Sequence, residues 1–92
     1  MILRILEEGQ FDVPDEVLDD LNTLDDELVA AVEAGEEGRF ARALAALLSR
    51  VRESGGRVED DFLGPSDLVL PPADATLEEV GEILSEEGLI PG

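Results

Sequence analysis

Carboxylates dominate the chemistry available to this chain. Its 24 Asp and Glu stand against six Arg, and it has no His, Cys, Tyr or Lys. Nucleophilic catalysis needs an activated Ser, Cys, Thr or Lys beside a base. The four serines, Ser49, Ser54, Ser66 and Ser85, have no imidazole or amine to activate them. Paired carboxylates can still do acid–base work. With so many acids, however, close pairs arise without design, and a solvated acidic face is the simpler reading. Asp19-Asp20 and Asp25-Asp26-Glu27 offer oxygen ligands to a hard cation. They fall in a helical pattern without the Gly-turned loop of a calcium site, so diffuse counter-ions are expected there. Glu59-Asp60-Asp61 reads as a solvated turn. No phosphate-cradling glycine loop is present, because Gly55-Gly56 follows a helical pattern and reads as a cap. The expectation is therefore no catalytic residue, no cofactor and no metal site.

Charge is unevenly distributed. Residues 1–38 carry a net −12, residues 39–57 a net +4 and residues 58–92 a net −10, for −18 in all. Such a field repels nucleic acid and anionic lipid at long range and attracts a basic partner. It also suits a salt-rich cytoplasm, where screening tolerates large charge. Five of the six arginines lie between Arg39 and Arg57. They could grip phosphates, but no aromatic residue interleaves for base stacking. The favoured reading is internal neutralisation, with the basic edge of one helix pairing with acidic helices on either side.

Ninety-two residues make a single domain, 1–92, with stability on the order of 5–10 kcal/mol. At 43% hydrophobic residues the chain can build a core, made mostly of Leu, Val, Ile and Ala because Phe11, Phe40 and Phe62 are its sole aromatics. Without Cys there is no disulfide. No run approaches the ~18 apolar residues of a membrane span, and no signal peptide opens the chain. The expected location is cytoplasmic, with no direct membrane insertion.

Short β-favouring stretches at Met1–Glu7 and around Phe11 and Val13, separated by Glu8-Gly9-Gln10, predict a small hairpin. Val17, Leu21, Leu24, Leu28 and Val32 recur at helical spacing. They place a first helix at about Pro14–Ala34, with a bend near Asn22-Thr23 and Gly35 as its cap. Phe40, Leu44, Leu47 and Val51, with Ala43 and Leu48, predict a second helix over about Gly38–Ser54. Arg57–Ala75 is a long connection holding Pro65, Pro71 and Pro72, with Leu68–Leu70 as an edge strand that Pro71 ends. Thr76 and Glu79 form a capping box that opens a third helix bearing Leu77, Val80, Ile83 and Leu84. Gly88 and Leu89 predict a Schellman ending. The fold class is mainly α (α+β), a small three-helix domain with a short N-terminal strand or hairpin and a long Pro-containing loop before the last helix.

Five stretches together resemble one known family. They are MILRILEEGQF, LNTLDDELVAAVEAG, FARALAALLSRVRESG, GPSDLVLPPADATLEEV and LSEEGLIPG, which run in order over almost the whole chain. The pair LVLPPADATLEEV and EGLIPG is the most specific. The resemblance is to the PspA-associated proteins (PspAA), companions of the phage shock protein A membrane-stress system. Glu8 departs from the small residue expected in such an opening, which bears on the turn geometry. The resemblance implies a small, mainly three-helix domain without enzymatic activity, acting beside a coiled-coil protein that assembles on stressed membranes.

The resulting expectation is an acidic adaptor that binds a phage shock protein A homologue and reaches the membrane only through it. Asn22, Asp25 and Asp26, with Ser66-Asp67 and Pro71-Pro72, are the candidate contacts. Asn22 reads equally as a helix bend, and Ser66-Asp67 as a turn or cap. The alternative is a DNA mimic or antitoxin-like inhibitor of a basic nucleic-acid-binding protein. The Arg window weighs against that alternative, and direct nucleic-acid binding is not expected. A homo-oligomer seeded by Leu68–Leu70 and Leu89–Ile90 stands against simple burial of those residues.

Overall fold

A computed structural model describes residues 1–58 and 68–83. The chain opens with a hairpin of β1 (Ile2–Ile5) and β2 (Gly9–Asp12), paired antiparallel with Leu3 opposite Phe11. Strand geometry turns alternate side chains to opposite faces. Leu3 and Ile5 are accordingly buried, while Arg4 is exposed. The turn closes with the Glu8 N–H donating to the Ile5 carbonyl at 3.0 Å. Glu7 inside it sits at φ 71°, a left-handed position that glycine or asparagine adopts more easily.

After Pro14 a single 3-10 turn, Asp15–Val17, leads into α1 (Leu18–Ala34). The helix runs unbroken through Asn22 and Thr23, where the Thr23 hydroxyl donates to the Asp19 carbonyl one turn back (3.1 Å). Gly35, at φ 70°, ends it. The Gly35 N–H reaches the Val32 carbonyl and the Glu36 N–H the Ala31 carbonyl, both at 3.1 Å, the paired bonds of a Schellman ending. The chain then reverses directly into α2 (Glu37–Ser54), forming the helical hairpin. Phe40, Ala43, Leu44, Leu47, Leu48 and Val51 are all buried, so the predicted apolar stripe of α2 is the face it packs with. On α1 the stripe is split. Leu21 and Leu28 are fully buried, and Val17, Leu24 and Val32 pack partly buried against the core.

The sheet is larger than the predicted hairpin. β3 (Gly56–Val58) follows α2 immediately and pairs antiparallel with β2, and β4 (Leu68–Leu70) pairs parallel with β1. The order is β3-β2-β1-β4. Gly55-Gly56 is thus a helix-to-strand junction as well as a helix end. Leu68–Leu70 is the expected edge strand, stopped by Pro71, and most of it faces inward: Leu70 is buried and Leu68 half-buried, while Val69 is exposed. Helices and sheet share one core, in which Leu3, Ile5 and Leu70 meet the apolar residues of the helical hairpin.

α3 (Leu77–Ile83) begins as its capping residues predict. The Glu79 N–H donates to the Thr76 hydroxyl oxygen and that hydroxyl donates to Glu79 Oε1, both at 3.1 Å. Val80 is fully buried. Loss of the cap through Thr76→Ala is expected to cost about 1 kcal/mol, read as a lower urea midpoint. Faster amide exchange should be concentrated in α3. The predicted ending at Gly88 and Leu89, and the acidic run at Glu59-Asp60-Asp61, lie outside the described residues.

Candidate functional site

The arginines are placed by the antiparallel run of α1 and α2. Arg39, in the first turn of α2, lies over the end of α1, where its Nη2 reaches Glu27 Oε2 at 3.2 Å and its Nη1 approaches Glu36 Oε2 at 3.8 Å. The C-terminus of α1 carries the negative end of the helix dipole and has no basic residue of its own. A cation supplied by the neighbouring helix is favourable there. At the other end, Arg50 Nη2 reaches Asp20 Oδ2 at 2.8 Å, and Asp20 sits in the first turn of α1, where an anion is favoured. These pairs are exposed, so each contributes only about 0–1 kcal/mol. The internal neutralisation expected from sequence is therefore present toward α1. Among the described residues no arginine pairs with α3.

Arg52 goes instead to the hairpin turn. Its Nε and Nη2 donate to the two carboxylate oxygens of Glu8 at 2.7 and 2.5 Å, and Arg57 Nη2 donates to the Glu8 backbone carbonyl at 3.1 Å. This two-point grip is the geometry that arginine makes with carboxylate. It ties the β1–β2 turn to the end of α2 and to β3. Glu8, which departs from the expected small residue, is thus the acceptor of the grip. The Arg52 hydrogen bonds, against an opposing effect of burial and helped by the charges of Arg52 and Arg57, hold its carboxyl below the usual glutamate value of 4.5.

A carboxylate whose pKa is lowered on folding stabilises the fold above its unfolded pKa. That contribution is lost as pH falls through the folded value. Glu8→Gln should therefore lower the urea midpoint at pH 7, and the difference from wild type should shrink as both are acidified below about 4.5. A difference that stays constant from pH 7 to pH 3 would contradict this account of Glu8.

The candidate contacts separate into different environments. Asp26 is exposed on α1 and Asn22 is half-buried, while Asp25 is only 2% exposed. Asp25 stands four residues after Leu21 and three before Leu28, on the packed face of the helix. Its carboxylate belongs to the interior and offers no surface contact. The spacing already carried that signal. Pro71 is buried and Pro72 half-buried, and both line a depression with Leu6 and Val80. Ser66 and Asp67 lie outside the described residues. Sequence reasoning missed Leu6, which is 42% exposed. With Ile5 directed inward, the two-residue strand period turns the next side chain outward.

The remaining acids of α1 face solvent. Asp19, Asp26 and Glu33 are exposed and make no ion pair among the described residues. No group of three or more acids there is arranged to hold a metal ion, and no described helix is long and apolar enough to cross a membrane.

Fold and surface together define a small α+β domain that engages most of its arginines internally and presents carboxylates outward. The chain belongs to the PspAA family, the PspA-associated proteins, whose family model matches residues 1–92. No curated protein and no solved structure matches it.

Proposed function

We propose that this domain is a non-catalytic, acidic adaptor that binds a phage shock protein A homologue and tunes its assembly. Membership of the PspA-associated family over the full 92 residues carries this reading. The charge distribution supplies its physical mode. Arg39, Arg50 and Arg52 are occupied by Glu27, Asp20 and Glu8, so they do little to offset the field of the unpaired acids. A net charge of −18 then attracts a basic partner surface and speeds encounter. In this reading the protein works in the cytoplasm and meets the membrane only through its coiled-coil partner.

The test is affinity capture from cells with the intact protein as bait, at two salt concentrations. Recovery of a phage shock protein A homologue, weaker at the higher salt, is the expected result. Recovery of a DNA- or RNA-binding protein in its place, displaced by nucleic acid, would overturn the adaptor reading in favour of a nucleic-acid mimic.

A further inference from the structure

Parallel pairing of β1 with β4 sets Ile5 opposite Leu70, so the residues after each strand emerge side by side. Leu6 leaves β1 where Pro71 and Pro72 leave β4, and the Leu6 N–H donates to the Leu70 carbonyl at 3.1 Å. This junction carries two adjoining depressions that share Leu6 and Pro72. One, of about 180 Å³, is floored by Leu6, Pro71, Pro72, Ala75 and Val80, with Glu79 as the only charged residue among its described lining. The other, of about 290 Å³, brings Glu7, Glu8, Arg52 and Asp74 to its edge.

The wall is pre-shaped. Two consecutive prolines fix their own φ and carry no N–H to satisfy. The following turn is closed by the Ala75 N–H donating to the Pro72 carbonyl at 3.0 Å. Leu6 is one of two large apolar side chains left exposed among the described residues. The charges around it do not cancel. Arg52, the only cation among the described lining residues, is gripped by Glu8, whose backbone carbonyl takes Arg57, while Glu7 and Asp74 make no ion pair among the described residues. Among the described residues the Glu79 carboxylate accepts a side-chain hydrogen bond only from the Thr76 hydroxyl of its own helix cap.

An apolar well beside uncompensated carboxylates is complementary to one kind of ligand, a segment pairing a bulky apolar side chain with Lys or Arg. We propose that the Leu6–Pro72 well is the docking site for an amphipathic helix with a basic stripe on the partner. Its apolar anchor enters beside Leu6, Pro71 and Val80, and its cations meet Glu7, Asp74 and Glu79. The proposal rests on the adaptor reading and names the surface through which it operates. It also separates two acidic regions: the well captures, while the α1 face contributes only long-range attraction.

The test is titration of the full chain against the purified phage shock protein A homologue, comparing wild type with Leu6→Glu, Leu6→Ala, Asp74→Arg and Glu33→Arg. Leu6 and Asp74 are exposed, so these variants should keep the wild-type thermal melt by circular dichroism. Leu6→Glu should weaken binding about tenfold or more, as loss of a central anchor does, and Leu6→Ala by less. Asp74→Arg should weaken binding and reduce its salt dependence. Glu33→Arg makes the same change of net charge on α1, at an exposed residue outside the candidate contacts, and should leave affinity near wild type. Wild-type affinity in the Leu6 and Asp74 variants, or a loss confined to Glu33→Arg, would overturn the docking site while leaving the adaptor reading intact. Conversion of a dimer to a monomer by Leu6→Glu would assign the well to a second copy and overturn the proposal. Failure of the wild type itself to bind would overturn the adaptor reading, and the docking site with it.

Discussion

Leu47→Ala is expected to destabilise the domain by about 2–5 kcal/mol, a large share of all it has. Leu47 is fully buried at the middle of the apolar face of α2. Its neighbours include Leu44, Leu48 and Val51 along the helix, in a core continuous with Leu3 and Ile5 of the sheet. With Phe11 and Phe40 as the only rings in the described core and no Trp or Tyr in the chain, the core is built mostly from branched aliphatic side chains. Truncation therefore removes the transfer free energy and leaves a cavity that closes only in part. Each kcal/mol should lower the melting temperature by roughly 4–8 °C in a domain this small. Leu47→Met keeps the volume and should cost less than about 1.5 kcal/mol. Equal melting temperatures for the two variants would show that Leu47 is not packed as described.

The second large effect is expected at Gly55. Its φ of −97° is open to any residue, so the requirement is for space alone. A Cβ there would stand 3.0 Å from the Val51 carbonyl oxygen, 3.1 Å from Phe11 Cβ and 3.1 Å from Val13 Cγ2. One of these is backbone and the other two are held by the hairpin, so none is the free end of a flexible side chain. Gly55→Ala should destabilise by about 1–3 kcal/mol through overpacking. Gly56→Ala is the control, since a Cβ there meets nothing within 4 Å and should change stability by no more than about 0.5 kcal/mol. Denaturant melts of the two variants side by side distinguish close packing from a general intolerance of side chains at this junction.

The same junction shows where the sequence was legible. Local signals carried the hairpin, both long helices, the Gly35 ending and the Thr76 cap, because each rests on periodicity or on a capping residue within a few positions. β3 is three residues long and begins within the Gly pair that also ends α2, so the helix-end signal masked the strand. β4 was visible from Leu68–Leu70 and the proline behind it. Its parallel pairing with β1 was not, because more than sixty residues separate the two strands and no turn chemistry links them. The Leu6–Pro72 well exists only through that pairing, which is why Pro71 and Pro72 could be singled out from sequence while Leu6 could not.

Electrostatics divide in the same way. The arginine window predicted internal pairing, and the antiparallel hairpin delivers it at Glu27 and Asp20. The grip of Arg52 on Glu8 spans 44 positions, and nothing in either local sequence announces it. Asp25 is the reverse case: its acidity suggested a surface contact, whereas its place between Leu21 and Leu28 puts it on the packed face, where it is buried.

Direct binding between this domain and its proposed partner is what most needs to be measured. Purified chain should be titrated against a purified phage shock protein A homologue by calorimetry, at low and at high monovalent salt. Saturable binding that weakens as salt rises, with the association dominated by electrostatic attraction, is the predicted result. No heat and no co-migration at either salt concentration, with both proteins folded, would contradict it.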